Sequence, residues 1–228
     1  MKGELSAQLR LEGFSQKGWA RIEIGGEDSE IFAELVARRL GSAKTDLSQI
    51  EKHDTLNGIV TGLSSSALQV DLGIESPTAI NVEVGLNQLR AQLADGRRLS
   101  VREIAENYCL FPGCRVIVGI SSLQLDTQVI GGMLADAQID LFRDWITSGL
   151  ERVLVFGCLG KHLEFAVRKA NLTRDLVSTE WLTLTTHSLM CKLGTNAVGL
   201  IPKLGKILRK SQLEPFIPKR IIETCREW

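Results

Sequence analysis

The chain has 228 residues, of which 27 are basic, 27 acidic, 44% hydrophobic and 5% aromatic. This composition excludes a disordered chain and a coiled coil, and the length allows one large domain or two to three small ones. No apolar run approaches the roughly 18 residues of a membrane span, and the first residues lack the apolar segment of a signal peptide. We therefore expect a cytoplasmic protein without a membrane partner.

The cysteines favour a reducing compartment. They are odd in number and widely spread, and no two of them form a C-x-x-C pair. This pattern predicts neither a disulfide framework nor a zinc site, and three scattered histidines add no metal-ligand spacing. We expect no metal and no cofactor. The five cysteines are Cys109, Cys114, Cys158, Cys191 and Cys225.

The balanced total charge hides a gradient along the chain. Residues 1–53 have a net charge of −1, residues 54–133 of −3, and residues 134–228 of +4. A basic end of this kind indicates either a surface for an anionic partner or a solvated helix face rich in lysine. The basic residues from position 192 onward are Lys192, Lys203, Lys206, Arg209, Lys210, Lys219, Arg220 and Arg226.

The first 48 residues predict a small α/β unit. Residues 18–24 alternate in the manner of a strand. Apolar residues then recur at intervals of three and four over residues 31–40, which predicts a helix that Asp28 or Ser29 caps at its start and Gly41 at its end. The polar residues 42–53 predict a linker.

Residues 54–134 change to short strands broken by turns. A helical period lies between the third and fourth strands, at residues 88–107, with a turn at Asp95-Gly96. Ser100 and Glu103 have the spacing of a capping box. Five strands with a helix at this position predict an OB-type β-barrel. The predicted strands are 56–63, 67–74, 79–84, 114–123 and 127–134.

This barrel segment resembles the RNA-binding OB domain of ribosomal-protein S-one type. The residues that carry the resemblance are Gly58, Val60, Val70, Asp71, Leu72, Gly73, Gly113, Val116 and Val118. The whole chain is similar to an uncharacterised archaeal protein family whose C-terminal domain contains the signature C-K-x-G-T-[DN]-A-x-G-[LI]-I-P, here residues 191–202. The resemblance implies an N-terminal α/β piece, a barrel and a C-terminal domain, and it implies no activity.

Residues 135–228 predict a compact C-terminal α+β domain with a basic tail. Helices are predicted at 136–147, 161–170 and 200–210, a strand at 152–156, and a β-hairpin at 177–184 and 186–193. The predicted fold class is therefore α+β with several domains.

The loop between the hairpin and the last helix invites a phosphate-binding interpretation. Gly194 and Gly199 have the spacing of a P-loop, but Leu200 and Ile201 stand where its lysine and hydroxyl would be, which excludes nucleotide hydrolysis of that kind. Backbone N–H groups at the helix start could still hold an RNA phosphate, or the loop is only a tight turn. The candidate RNA-binding residues here are Lys192, Gly194, Thr195, Asn196, Gly199, Lys203, Lys206, Arg209 and Lys210.

The barrel itself lacks the aromatic residues that stack on bases. Residues 54–107 contain no Phe, Trp or Tyr, and the segment is acidic on balance. The remaining phosphate-binding candidates here, unless they are only solvated helix and turn residues, are Arg90, Arg97, Arg98 and Arg102. Contact with RNA is therefore expected to follow phosphate and shape rather than base sequence.

Alternation places His187 and Cys191 on one strand face, so a base–nucleophile pair is conceivable there. A structural histidine beside a buried thiol is the simpler interpretation, so no catalytic residue is assigned.

Three functions remain open at this point. The first is a non-enzymatic factor that binds structured RNA or the ribosome, linked to translation or RNA processing. The second is an enzyme that acts on RNA or a phosphorylated small molecule, with the Gly194 loop and His187 in its site. The third is an adaptor that binds protein. The absence of a complete catalytic set favours the first.

Overall fold

The computed structural model describes residues 6–14, 19–40, 42–124 and 129–225. The fold is α+β, as predicted, and consists of an N-terminal unit of two strands and a helix, a closed five-stranded barrel and a four-stranded sheet with helices. Within these ranges every helix is too short or too polar to cross a membrane.

The N-terminal unit is a β-hairpin followed by one helix. Strand β1 (Gln8–Phe14) pairs antiparallel with β2 (Ala20–Gly25), and helix α1 spans Ser29–Leu40. The predicted strand and helix are confirmed, whereas β1 was not predicted although Leu9 and Leu11 alternate as strand residues do. The predicted cap Gly41 lies outside the described residues.

The next segment was predicted to be a linker, but it packs on the barrel. Residues Leu47–Gln49 form a single 3₁₀ turn that Asp46 caps. Leu47 and Ile50 are buried in the barrel core. These two apolar side chains lie three residues apart, so one turn directs both to the same side.

The barrel has the strand order β3-β4-β5-β7-β6 and closes on itself, with β5 and β7 parallel and the other pairs antiparallel. This is the connectivity of an OB-type barrel. Two helices follow β5, and the predicted capping box of Ser100 and Glu103 is present at the second. Residues 127 and 128 of the predicted fifth strand lie outside the described residues. The elements are β3 (Thr55–Leu63), β4 (Ala67–Asp71), β5 (Asn81–Gly85), α2 (Leu86–Leu93), α3 (Val101–Tyr108), β6 (Arg115–Gln124) and β7 (Val129–Leu134).

The C-terminal part is an antiparallel sheet in the order β11-β8-β10-β9. Its last strand and last helix were not predicted, since Pro215 lowers the strand propensity of an edge strand and the helix has only two turns. The elements are α4 (Asp136–Thr147), β8 (Arg152–Phe156), α5 (Gly160–Lys169), β9 (Leu176–Trp181), β10 (Thr186–Cys191), α6 (Ala197–Gly205), β11 (Gln212–Phe216) and α7 (Pro218–Cys225).

Strand β8 is buried on both faces and divides two hydrophobic cores. Leu154 and Phe156 belong to a core that is continuous with the barrel interior and includes residues of α4 and α7. Val153 and Val155 face the opposite way, into a core formed with α5 and α6. The sheet therefore has the barrel on one face and α5 and α6 on the other.

Candidate functional site

One row of directly paired residues crosses the C-terminal sheet from β11 to an exposed tryptophan on β9. Leu213 of β11 is paired with Val155, Val155 with His187, and His187 with Trp181 of β9. Directly paired residues point to the same face, so all four side chains lie on the face that α5 and α6 cover. Three strand spacings separate the ends of this row, about 14 Å.

At the β11 side of the row, the end of α6 and the turn after it form a cation cluster. All four of its side chains are exposed, and none of them takes part in an ion pair among the described residues. Ser211 follows the cluster, and its hydroxyl donates to the carbonyl of Gly157 at 3.4 Å, which ties this turn to the loop before α5. The cation cluster consists of Lys203, Lys206, Arg209 and Lys210.

At the β9 side of the row, Trp181 lies against the first residue of α5. A Cβ atom on Gly160 would come within 2.4 Å of the ring carbon Cζ2, so only glycine permits this contact. The ring meets His187 edge to face, with 5.2 Å between centroids. Nevertheless 58% of Trp181 is exposed. Trp181 was not among the candidates predicted from the sequence.

His187 is a buried structural residue. Its Nε2 lies 2.8 Å from the carbonyl oxygen of Cys158, so Nε2 carries the proton. Burial lowers the pKa of His187 and raises the pKa of Cys191 to about 11. His187 and Cys191 are four residues apart on one strand, about 13 Å, so the two side chains do not form a nucleophile–base pair.

The Gly194 loop lies at the opposite end of α6 from the cation cluster. A groove of about 280 Å³ runs beside it, between Lys192–Asn196 and Gly149–Glu151. The N–H groups expected to hold a phosphate already have partners in the protein: Ala197 donates to Glu151 Oε2 at 2.6 Å, and Gly199 donates to Asn196 Oδ1 at 3.1 Å. The candidates at this end of the chain therefore divide into two separate places, the cation cluster and the Gly194 loop, and at the loop a carboxylate of the protein already caps the helix start.

Arg97 and Arg98 of the barrel segment differ in whether other parts of the fold already bind their side chains. One guanidinium nitrogen of Arg97 donates to the carbonyls of Glu223 and Thr224 at 3.2 Å, which holds the end of α7 against the turn between α2 and α3. Arg98 is exposed. Arg97 thus joins two parts of the fold, whereas Arg98 is available to solvent.

The outer surface of the barrel is poorly suited to nucleic acid. Side chains of β4 and β5 that reach solvent are Gln69, Asn81 and Glu83, which offer neither an aromatic ring nor a cation. Asp71, one of the residues that resemble the S-one type, is buried and accepts a hydrogen bond from the Trp19 indole at 2.7 Å. A Cβ on its neighbour Gly73 would lie 2.5 Å from Ala43 Cβ and 3.3 Å from the Trp19 ring. These two positions therefore attach the N-terminal unit to the barrel.

No group of three or more potential metal ligands occurs in the part of the chain that the structure describes. The cysteines in this part are all buried, and none of them forms a disulfide with another described residue. Burial raises the pKa of the Cys114 thiol to about 12 and raises the pKa of the Cys109 thiol well above its ordinary value. These thiols are packing residues rather than reactive groups.

Residues 150–214 match the family model of the DUF2110 C-terminal domain. This segment runs from just before β8 into β11 and contains both the cation cluster and Trp181. The expected similarity to an uncharacterised family thus holds for the segment, while archaeal origin and an S-one relationship stay predictions. No curated protein matches the chain.

The solved structures that resemble the chain do so weakly. An uncharacterised protein from Methanocaldococcus jannaschii has 13% identity and a TM-score of 0.26, over 38% of this chain and 95% of the other. The alpha subunit of aIF2 from Pyrococcus abyssi has 8% identity and a TM-score of 0.28, over 76% and 98%. A complex of a/eIF2alpha, aDim2p and rRNA from Pyrococcus horikoshii has 11% identity and a TM-score of 0.29, over 54% and 64%.

Proposed function

We propose that the protein is a non-enzymatic RNA- or ribonucleoprotein-binding factor, linked to translation or RNA processing, that contacts RNA phosphates through a basic C-terminal surface. The cation cluster is the observation that carries the proposal. Four exposed cations, which have no ion-pair partner among the described residues, lie within eight consecutive residues at the end of a helix that is fixed to the sheet. Phosphate contacts need charge in a defined place and no base recognition.

The barrel has a supporting role in this proposal. Its outer surface carries Glu83 and no aromatic residue on β4 and β5, so it contributes little to phosphate binding. Its interior is continuous with one face of the C-terminal sheet, and it therefore holds that sheet rigidly. Lys192, beside the Gly194 loop, and Arg98, in the turn between α2 and α3, are proposed as further phosphate contacts outside the cation cluster.

A direct test is the binding of transfer or ribosomal RNA to the full chain at low salt. Neutralising the cation cluster with K203Q, K206Q, R209Q and K210Q is expected to remove most of the affinity. A matched control neutralises four exposed cations that already have ion-pair partners, namely Arg38, Arg102, Arg143 and Lys219. If the wild-type protein binds no RNA at low salt, or if both variants lose affinity equally, the proposal is wrong.

A further inference from the structure

We propose that Trp181 is a stacking platform for an unpaired base, so that the preferred ligand of the C-terminal surface is single-stranded RNA. This inference rests on the proposed function and deepens it by naming the class of RNA and the residue that holds its base. Exposed tryptophan beside a cationic path is the combination with which proteins bind single strands without reading their sequence.

The position of the ring is set before any ligand arrives. Gly160 lies so close to the ring that a Cβ would clash with it, and His187 meets the ring edge to face. His187 is itself fixed by its hydrogen bond to the carbonyl of Cys158. Because these contacts restrict the ring while more than half of its surface stays free, binding a base costs little conformational entropy.

The surroundings of the ring suit a nucleotide strand. Leu159 and Leu184 are partly exposed, and the N–H of Cys158 donates to the carbonyl of Thr185 at 2.9 Å, which holds their two loops together beside the ring. Lys161, one residue after Gly160, is exposed.

The cation cluster and Trp181 border the same loop: Ser211, which follows Lys210, donates to the carbonyl of Gly157, and Gly160 contacts the Trp181 ring. Val155 and His187 in the middle of the row are fully buried, so a strand of a few nucleotides would pass over this loop and not along the row, across the roughly 14 Å between β11 and β9. The positive charge at one end selects a polyanion over an apolar protein segment as the occupant of the Trp181 surface.

The experiment measures binding of a fluorescein-labelled oligoadenylate of about 12 nucleotides, a length within the range of single-strand sites. The same sequence annealed to its complement serves as the double-stranded probe. The variants are W181A, W181F and, as a matched control, F165A. Phe165 is an aromatic residue of the same helix that Gly160 begins, with a similar exposed fraction of 55%.

We expect W181A to weaken binding of the single strand by about 5-fold to 150-fold, since one stacked base contributes on that scale. W181F should retain most of the affinity, F165A should retain all of it, and the duplex should bind wild type and W181A alike. Quenching of tryptophan emission by the single strand should disappear in W181F.

The stacking role of Trp181 is wrong, while the proposed function stands, if W181A binds the single strand as tightly as wild type does. The same conclusion follows if W181A and F165A lose the same amount of affinity for the single strand. If wild type binds neither the single strand nor the duplex, both the platform and the proposed function are wrong.

Discussion

The carboxylate of Glu151 accepts a hydrogen bond of 2.6 Å from the backbone N–H of Ala197, across 46 residues of sequence. This contact places a negative charge of the protein at the start of α6, where an anion would otherwise bind. The helix start at this glycine-containing loop is therefore capped by a side chain of the protein itself. The cation cluster lies at the other end of the helix.

Replacing Glu151 by Gln should therefore destabilise the fold without weakening RNA binding. Loss of a charged cap is expected to lower the free energy of unfolding by about 1 kcal/mol, measured by urea denaturation. E164Q is the control, because Glu164 is an exposed partner of Arg168 at 3.9 Å and its loss should change stability little. A clear drop in RNA affinity for E151Q would place the RNA site at the Gly194 loop instead.

The variant G160A should displace Trp181 and leave the rest of the fold in place. The new Cβ would lie 2.4 Å from the ring, and the exposed ring can swing away, while alanine suits the helix better than glycine. Single-stranded RNA affinity should then fall towards that of W181A with no loss of stability. The control G199A adds a Cβ in the first turn of α6 with no atom within 4 Å. Unchanged RNA affinity in G160A would show that the position of the ring is irrelevant.

Asp71 is expected to act in folding and not in RNA binding. D71A leaves the indole N–H of Trp19 and the backbone N–H of Gly73 without their acceptor, so the free energy of unfolding should fall by about 1–3 kcal/mol. Limited proteolysis should cut the N-terminal unit faster. E75Q removes only the exposed pair with Arg21 and should have a much smaller effect. Loss of RNA binding in a folded D71A would instead support an S-one-like role of the barrel.

Stability should decrease as the pH falls below neutrality, partly through His187. Burial lowers the pKa of this histidine from its ordinary value of 6.5, so the unfolded chain binds a proton at a pH where the folded chain does not. Its contribution is complete above pH 6.5 and is lost as the pH falls from there towards the folded-state pKa. Urea unfolding at neutral and mildly acidic pH should show a smaller difference for H187L than for wild type. H162Q, at an exposed position, should keep the wild-type difference.

Local sequence patterns were sufficient to predict most of the helices and strands. Alternation and helical period located the barrel strands and most helices, and the spacing of Ser100 and Glu103 identified a cap that the structure contains. These features depend on residues a few positions apart, which a sequence displays directly.

The missed features depend on distant parts of the chain. Glu151 caps a helix that begins 46 residues later, and Trp181 gains its position from Gly160 through the pairing of strands. Arg97 reaches α7 across more than 120 residues. Such contacts leave no local pattern in the sequence. The sequence therefore showed which residues are basic, but not which of them bind other parts of the fold.

The salt dependence of RNA binding tests the central claim most directly. Each phosphate contact with a single strand contributes about −0.7 to the slope of log K against log salt concentration. The quadruple variant should therefore have a clearly shallower slope than wild type; it carries K203Q, K206Q, R209Q and K210Q. The control variant at Arg38, Arg102, Arg143 and Lys219 should keep the wild-type slope. Equal slopes for wild type and the cation-cluster variant would contradict the account.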